Sequence, residues 1–161
     1  MKNILVTGGV GFIGYHLIRE LLKKNFNIFI YDNLIRGKFD KDFKVLLKNK
    51  KCKFVKKDLN KKIKIEKKFD YIFHLAATVG VKNVNYNPIE TFSNNINPLI
   101  NILNGLNKNN NKNLKIIFFS TSEVYSPLIG SKKYKFPYKE NEVIPIKNKI
   151  IPRNSYYLSK L

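Results

Sequence analysis

The segment of residues 6–14, Val-Thr-Gly-Gly-Val-Gly-Phe-Ile-Gly, constrains the fold of this chain more than any other stretch. An apolar run typical of a β-strand leads into it, and a pattern with helical periodicity follows it. Its glycines fit both Gly-x-x-Gly-x-x-Gly and Gly-x-Gly-x-x-Gly. Glycine permits a sharp strand-to-helix turn and lets backbone N–H groups approach a pyrophosphate at the helix N-terminus. The segment therefore predicts a dinucleotide-binding turn.

Asp32 supports this interpretation through its distance from the turn. It ends a predicted strand at residues 27–31, and the interval from Gly14 to Asp32 is 32 − 14 = 18 residues. About 20 residues are expected between the phosphate turn and the acidic residue that binds the adenosine ribose. A carboxylate there would repel a 2′-phosphate, which favours NAD over NADP, although the nearby Arg36 keeps NADP open.

Strand and helix patterns alternate along the rest of the chain. Further strands are predicted at residues 53–56, 70–77 and 114–119, and residues 34–51 are basic and loosely helical. Another helix is predicted to begin at Pro88 with Asn87 as its N-cap. Its predicted buried stripe comprises Ile89, Phe92, Ile96, Leu99, Ile100 and Leu103.

This alternation predicts an α/β fold, a parallel sheet with helices on both faces. Ligands bind such sheets at the carboxyl ends of the strands. The residues expected to converge there are Gly8, Asp32, Asp58, Ala76 and Thr121. Residues 126–153 contain four prolines and are predicted to form a long loop.

The charge of the chain raises the question of nucleic-acid binding. Lys and Arg number 31 against 11 Asp and Glu, a formal net charge of +20. Nearly all the positive residues are scattered lysines, and the Asn/Lys-rich run at residues 107–113 indicates a general bias of composition. We therefore expect no specific nucleic-acid partner, only non-specific attraction of polyanions at low salt.

Cys52 is the only cysteine, which excludes an internal disulfide and indicates a reducing compartment. His16 and Arg19 interrupt the N-terminal apolar run before a signal peptide could be complete. No stretch approaches the about 20 apolar residues that span a bilayer. The sequence predicts a cytoplasmic protein with no membrane partner and no metal site.

Seven short motifs stand in order along the chain. They are Thr7-Gly8-Gly9-Val10-Gly11-Phe12-Ile13-Gly14, Tyr31-Asp32-Asn33-Leu34, Asp58-Leu59, His74-Leu75-Ala76-Ala77, Asn94-Asn95-Ile96-Asn97, Ser120-Thr121-Ser122-Glu123-Val124-Tyr125 and Tyr156-Tyr157-Leu158-Ser159-Lys160. Together they resemble the extended short-chain dehydrogenase/reductases, in particular the NAD-dependent nucleotide-sugar epimerase/dehydratase group. The resemblance implies a Rossmann-like doubly wound parallel sheet, with residues 1–161 forming an NAD-binding domain.

The resemblance also implies site residues. Those expected to contact NAD are Gly8, Gly11, Phe12, Ile13, Gly14, Asp32, Asn33, Asp58, Leu59, Leu75, Ala76, Ala77, Asn95, Tyr156 and Lys160. The expected catalytic residues are Thr121, Glu123, Tyr156 and Lys160. Tyr156 would remove a proton from a sugar hydroxyl as hydride passes to NAD, and Thr121 would hydrogen-bond the same sugar oxygen.

Tyr156 and Lys160 are four residues apart and are therefore predicted to share a helix face. A tyrosine, whose ordinary pKa is about 10, acts as a base near neutral pH only if its phenolate is stabilised. By resemblance, Lys160 would stabilise this phenolate and hold the cofactor ribose. Tyr157 lacks a lysine at the same offset.

Glu123 bears on the reaction. In the resembling group, dehydratases and UDP-glucuronate decarboxylases have an acid there, whereas simple 4-epimerases usually have none. Ser122 favours decarboxylases over dehydratases acting on thymidine diphosphate sugars, but residues 78–81 and 32–34 look equally like epimerases. The implied substrate is a nucleotide sugar, most simply a UDP-sugar; a non-catalytic NAD-binding module is the alternative.

Three departures from the family pattern stand out. Pro98 replaces a usual glycine inside the helix from Pro88, which predicts a kink beside Asn95, and Ser126 replaces another glycine. The chain ends at Leu161, whereas the family continues for roughly as much chain again. We therefore expect an N-terminal part that lacks the last strands and the substrate domain and is poorly active alone. The family's homodimer is implied only for the longer chain.

Overall fold

The computed structural model describes residues 1–106, 112–130, 132, 135–146 and 151–161. They form two compact units. The first unit comprises Met1–Ala77 and Ile96–Phe119, and the second unit comprises Thr78–Asn95 and Ser120–Leu161. The elements in chain order are β1 (Asn3–Thr7), α1 (Phe12–Lys23), β2 (Asn27–Asp32), α2 (Lys41–Leu47), β3 (Cys52–Lys56), β4 (Tyr71–His74), α3 (Val81–Tyr86), α4 (Pro88–Gly105), β5 (Lys115–Phe118), a 3₁₀ helix (Ser122–Leu128) and α5 (Asn154–Leu158).

The five strands form one parallel sheet in the order β3-β2-β1-β4-β5. Thr7 at the end of β1 lies opposite Tyr31 of β2 and His74 of β4. This order is typical of doubly wound dinucleotide-binding sheets, in which ligands bind where the direction of winding reverses. The direction of winding reverses here between β1 and β4, and the glycine segment follows directly on β1. The α/β doubly wound fold predicted from the sequence is confirmed.

Alternate residues of the strands enter two hydrophobic clusters. Ile4 and Val6 belong to one cluster, whereas Leu5 between them belongs to the other with Ile72 and Phe69. Successive side chains of a strand point to opposite faces, so both faces of the sheet are buried. Cys52 lies in the first cluster, where burial raises the pKa of its thiol to about 11. Its interpretation as an ordinary strand residue is confirmed.

The predicted helix after the glycines is present as α1, but its buried face is narrower than expected. Ile18 and Leu21 are buried, as predicted, together with Gly14. Phe12 and Ile13, which share the helical spacing of the apolar residues, are nevertheless 82% and 57% exposed. They occupy the first turn, which projects beyond the end of the strand. Their predicted contact with NAD stays a prediction.

The predicted buried stripe of α4 was also wrong. The helix begins at Pro88 as expected, but Ile89, Phe92, Ile100 and Leu103 are exposed. The buried positions are Thr91, Asn95, Pro98 and Ile102, which recur every three or four residues. Apolar side chains cover much of this helix; on the inward side Ile102 packs in the second hydrophobic cluster and Asn95 forms the hydrogen bonds described below. The helix continues through Pro98, and the predicted kink stays a prediction.

The described part of the predicted loop at residues 126–153 begins inside the 3₁₀ helix and contains no further helix or strand. Residues 131, 133, 134 and 147–150 of that loop, and residues 107–111 of the Asn/Lys-rich run, lie outside the described residues. No described helix combines the length and apolar character that crossing a bilayer requires. Nor do the described residues group three His, Cys, Asp or Glu side chains that could hold a metal ion.

Candidate functional site

The glycine segment packs against the backbone that follows β4. Gly8 has a φ of +65°, and a Cβ atom there would lie 2.7 Å from the Ala76 nitrogen and 2.8 Å from its Cα. A Cβ on Gly14 would lie 2.5 Å from the Gly9 carbonyl oxygen. Glycine is required at both positions because any side chain would displace backbone. The lack of a side chain at Gly8 thus permits its close approach to the Ala76 backbone.

The first turn of α1 has the properties of an anion site. Its N-cap is Gly11, and no described side chain caps this helix N-terminus. The first N–H groups of a helix have no intrahelical acceptor and carry the positive end of the helix dipole. A pyrophosphate would satisfy both requirements. The glycine cradle and the uncapped turn therefore fit NAD at this end of the sheet.

Asp32 connects the predicted ribose site to the glycine segment. The side chain is 9% exposed, its Oδ2 accepts from the Val10 N–H at 3.1 Å, and its Oδ1 accepts from the Leu34 N–H at 2.8 Å. Each carboxylate oxygen has a second lone pair for a ribose hydroxyl. Nearby, a Cβ on Gly37 would lie 2.7 Å from the Val10 Cβ, so the loop after Asp32 lies against the glycine segment.

The other predicted NAD residues of the first unit follow the strand ends. Asn33 and Asp58 each accept a backbone N–H two residues ahead, from Ile35 at 3.1 Å and Asn60 at 3.0 Å. The Leu59 side chain is 5% exposed and packs in the second hydrophobic cluster, so only its backbone could reach a ligand. Leu75 is partly buried against the first cluster. Ala77 is also partly buried, and its contact with NAD remains a prediction.

A buried pair beside the glycine segment was not anticipated. Thr7 Oγ1 lies 2.7 Å from His74 Nδ1 and accepts from the Ala76 N–H at 3.3 Å. Both side chains are fully buried. The Thr7 hydroxyl has one proton and two lone pairs, so it can bond both the His74 ring and the Ala76 N–H at once. The motif His74-Leu75-Ala76-Ala77 thus fixes the ends of β1 and β4 together.

The second unit contains a cleft of about 300 Å³. Its lining combines small or apolar residues with polar ones. The first group is Val79, Gly80, Val81 and Val84, and the second is Thr121, Ser122, Glu123, Arg153 and Tyr156. The volume is at the lower end of the range for small-molecule sites, which suits part of a nucleotide sugar. Three of the four predicted catalytic residues, Thr121, Glu123 and Tyr156, therefore share one cavity.

Thr121 and Glu123 are positioned by the start of the 3₁₀ helix. Thr121 is its N-cap, and the hydroxyl accepts from the Glu123 N–H at 3.2 Å. This local bond leaves the hydroxyl proton able to donate to a ligand oxygen. Glu123 Oε1 accepts from the Arg153 Nη2 at 3.2 Å, with the two side chains 34% and 47% exposed. No local sequence pattern indicates that Arg153 pairs with Glu123, thirty residues earlier.

Asn95 holds two segments of the second unit together. Its Oδ1 accepts from the Thr78 N–H at 2.7 Å, and its Nδ2 donates to the Thr78 carbonyl at 3.3 Å and to Ser159 Oγ at 3.0 Å. The Ser159 hydroxyl in turn donates to the Tyr156 carbonyl at 2.7 Å. Both amide hydrogens of Asn95 are occupied, so a direct contact with NAD could use only the second lone pair of Oδ1.

Lys160 does not share a helix face with Tyr156, which corrects the prediction from their spacing. α5 ends at Leu158, and the Lys160 N–H bonds the Tyr157 carbonyl at 3.0 Å. The Tyr156 carbonyl, which a continuing helix would offer to that N–H, accepts the Ser159 hydroxyl instead. Lys160 is 3% exposed, and burial lowers the pKa of its ammonium from 10.5 to about 8. The Ser120 hydroxyl donates to its carbonyl at 2.8 Å.

Comparison with known proteins decides the family. The profile of the NAD dependent epimerase/dehydratase family matches residues 4–161. The chain belongs to this family. The family resemblance of the seven motifs is thereby confirmed, and NAD, the cofactor predicted from the glycine segment and Asp32, is the cofactor of this family.

Individual relatives of the family are nucleotide-sugar enzymes. The chain is 35% identical over 162 residues to a putative UDP-glucose 4-epimerase of Methanocaldococcus jannaschii, covering 98% of this chain and 47% of the relative. It is 39% identical over 125 residues to a UDP-N-acetyl-alpha-D-glucosaminuronate decarboxylase of Bacillus cytotoxicus, covering 77% and 38%. The chain thus spans less than half the length of these two relatives.

A solved structure supports the same membership. The UDP-N-acetylglucosamine 4-epimerase of Methanobrevibacter ruminantium, determined with UDP-N-acetylmuramic acid, superposes with a TM-score of 0.75 at 32% identity. The match covers 98% of this chain and 47% of the epimerase. The epimerase/dehydratase family fold is therefore present over almost the whole of the chain.

Proposed function

We propose that this chain is part of an NAD-dependent enzyme that oxidises a nucleotide sugar at C4 and then epimerises or decarboxylates it. The observation that carries the proposal is the shared cleft of Thr121, Glu123 and Tyr156 in the second unit. A hydroxyl donor, a carboxylate and a phenol in one small cavity are the groups that move protons on and off a sugar. The family membership and the named relatives support the substrate class.

In this proposal Tyr156 accepts the proton of the sugar C4 hydroxyl, and Thr121 donates a hydrogen bond to the same oxygen. NAD supplies the acceptor for the hydride that leaves C4. Lys160 stabilises the phenolate and holds the cofactor ribose. Burial lowers the pKa of its ammonium to about 8 and leaves the charged form weakly hydrated, so the effect of that charge on a neighbouring oxyanion is larger than in water. Asn95 and Ser159 act as positioning residues for α5.

Glu123 distinguishes the possible second half-reactions. A carboxylate in the cleft supplies the additional acid or base that decarboxylases and dehydratases need after C4 is oxidised. The relatives include both epimerases and decarboxylases, so epimerisation, decarboxylation and 4,6-dehydration are all candidates. A non-catalytic NAD-binding module is the alternative, and it predicts that Tyr156 has no chemical role.

The exposed apolar residues of α4 support the homodimer that the resemblance implies. Ile89 is 82% exposed, and Phe92, Ile100 and Leu103 are each at least 40% exposed along the same helix. A row of apolar side chains on a helix surface is typical of a protein interface. Sedimentation of the wild-type chain and of Ile100→Lys tests whether this face already associates in residues 1–161: a dimer that the lysine dissociates supports an interface on α4, and a dimer that the lysine leaves intact contradicts it.

Turnover of a matched pair of sugars tests the proposed activity. We would incubate the chain with NAD and UDP-glucose or UDP-glucuronate, and follow reduced nicotinamide and the sugar products. We expect any C4 oxidation to fall by about 10²-fold or more in Tyr156→Phe, as is typical for loss of a general base. Unchanged products in Tyr156→Phe would contradict the catalytic assignment and favour the binding module.

A further inference from the structure

The pairing of Arg153 with Glu123 has implications for the substrate. We infer that Arg153 is a specificity-determining residue that selects a nucleotide sugar whose hexose carries a carboxylate, that is, a uronic acid. The inference rests on the proposed function, since it concerns the sugar bound in the same cleft. Neither the family membership nor the sequence motifs assign a role to Arg153.

The position of Arg153 brings its guanidinium to the reacting end of the cleft. It is the N-cap residue of α5 and precedes Tyr156 by three residues. Residues three apart on a helix are neighbours on its surface, and both line the cavity. A group bound by Arg153 is therefore held beside the phenol proposed to remove the C4 proton. In a hexose, C6 is separated from C4 only by C5, so a C6 carboxylate is within reach of the same region.

The guanidinium of Arg153 has donors left for an anion beside Glu123. Among the described residues that line it, Arg153 is the cation and Glu123 the carboxylate. The guanidinium has five N–H donors, and the ion pair with Glu123 is a single contact of 3.2 Å through Nη2. A planar fork of donors matches a carboxylate bidentately. Arg153 can therefore bind a uronate carboxylate while it screens that carboxylate from Glu123.

A neutral hexose would not use the remaining N–H donors of Arg153. A C6 hydroxymethyl group offers one weak acceptor and leaves the ion pair as it stands. A uronate bound without Arg153 would place two carboxylates in one small cavity, and like charges at such a site repel each other. With the Arg153 guanidinium present, the two carboxylates that would repel each other become part of a network of two anions and one cation.

The test compares two ligands that differ only at C6. Binding of UDP-glucuronate and UDP-glucose to the wild-type chain is measured by calorimetry with saturating NAD. Hydrogen bonds to charged groups contribute about 1.5–3 kcal/mol, so we expect a preference of about tenfold or more for UDP-glucuronate. In Arg153→Gln the ratio of UDP-glucuronate to UDP-glucose affinity should fall to about 1 or below, because the uronate then meets the Glu123 carboxylate without the guanidinium. Arg153→Lys should retain only part of the preference, because an ammonium lacks the fork.

A matched control separates this site from the general positive charge of the chain. Arg19 is also 47% exposed and also pairs with a glutamate, Glu20 at 3.4 Å, but it lies on α1. Arg19→Gln removes the same charge as Arg153→Gln and should keep the wild-type ratio. If both substitutions lower the ratio equally, the preference is non-specific attraction and the inference is wrong.

Other outcomes also overturn it. Equal affinity for the two sugars, an unchanged ratio in Arg153→Gln, or no binding of either sugar each contradicts a uronate site. Thermal melting of every variant shows that the fold is retained. Titration with NADH separates the two proposals. If the wild-type chain binds NADH but has equal affinity for the two UDP-sugars, only the Arg153 assignment is rejected. If the wild-type chain does not bind NADH, the proposed function is rejected.

Discussion

Replacing Gly8 by alanine perturbs the glycine segment at its closest contact with the rest of the first unit. The new Cβ would lie 2.7 Å from the Ala76 nitrogen and 2.8 Å from its Cα, both backbone atoms that cannot rotate away. The residue would also have to retain a φ of +65°, which L side chains rarely adopt. The substitution therefore combines a steric clash with backbone strain at the proposed pyrophosphate site.

The expected loss of stability follows from these two costs. A left-handed conformation costs a non-glycine residue about 1–2 kcal/mol. Overpacking of a filled site costs about 1–3 kcal/mol. Together they give about 2–5 kcal/mol, which at an m-value of about 2 kcal/mol/M lowers the urea midpoint by about 1–2.5 M. Affinity for NADH should fall as well, because the turn must move away from Ala76.

Gly130→Ala is the matched control for the steric part. Gly130 has a similar φ of +79°, but a Cβ there would meet nothing within 4 Å. Gly130→Ala should lower the free energy of unfolding only by this conformational cost, about 1–2 kcal/mol, and should leave the affinity for NADH unchanged. Urea unfolding and NADH fluorescence measure both effects. Equal midpoints for Gly8→Ala and Gly130→Ala would show that the close approach to Ala76 does not constrain the turn.

Three further predictions concern buried groups. Asp32→Asn should lower the free energy of unfolding by about 1–3 kcal/mol in urea titrations, because an amide cannot accept from both the Val10 and Leu34 N–H groups; an unchanged midpoint would contradict this. Burial lowers the pKa of Lys160 to about 8, so the folded protein releases this proton at lower pH than the unfolded chain does. The free energy of unfolding should therefore rise between about pH 8 and 10.5. Lys160→Met should lack that rise, and matching pH profiles would refute the assignment. Cys52 is 6% exposed with its pKa raised to about 11, so thiol reagents at pH 8 should modify it far more slowly in the native than in the unfolded protein; equal rates would contradict its burial.

The strands and their parallel arrangement were predictable from local patterns. β1 and β2 are short runs of β-branched and aromatic residues, and the alternation of strands and helices restricts such a chain to a parallel sheet. The glycine segment is recognisable because its turn and close contacts require glycine. Asp32 is recognisable because its site requires an acidic residue at a set distance from that turn. The structure joins them through the Val10 N–H bond to the Asp32 carboxylate.

Other features depended on long-range contacts that periodicity does not encode. The inward face of α4 carries Asn95, which bonds Thr78 and Ser159, and Ile102, which packs in the second hydrophobic cluster, whereas helical periodicity selected the more apolar face. α5 ends at Leu158, before Lys160, and the Ser159 hydroxyl bonds the Tyr156 carbonyl at this end of the helix. α3 was missed because Gly80, with a φ of +112°, begins it without a side-chain cap.

A fluorescence titration of the wild-type chain with NADH and with NADPH tests the central claim most directly. The account predicts micromolar binding of NADH at the glycine segment and affinity for NADPH about tenfold or more weaker, because the Asp32 carboxylate would face the 2′-phosphate. Absence of NADH binding would contradict the cofactor site, and equal affinities would contradict the role of Asp32.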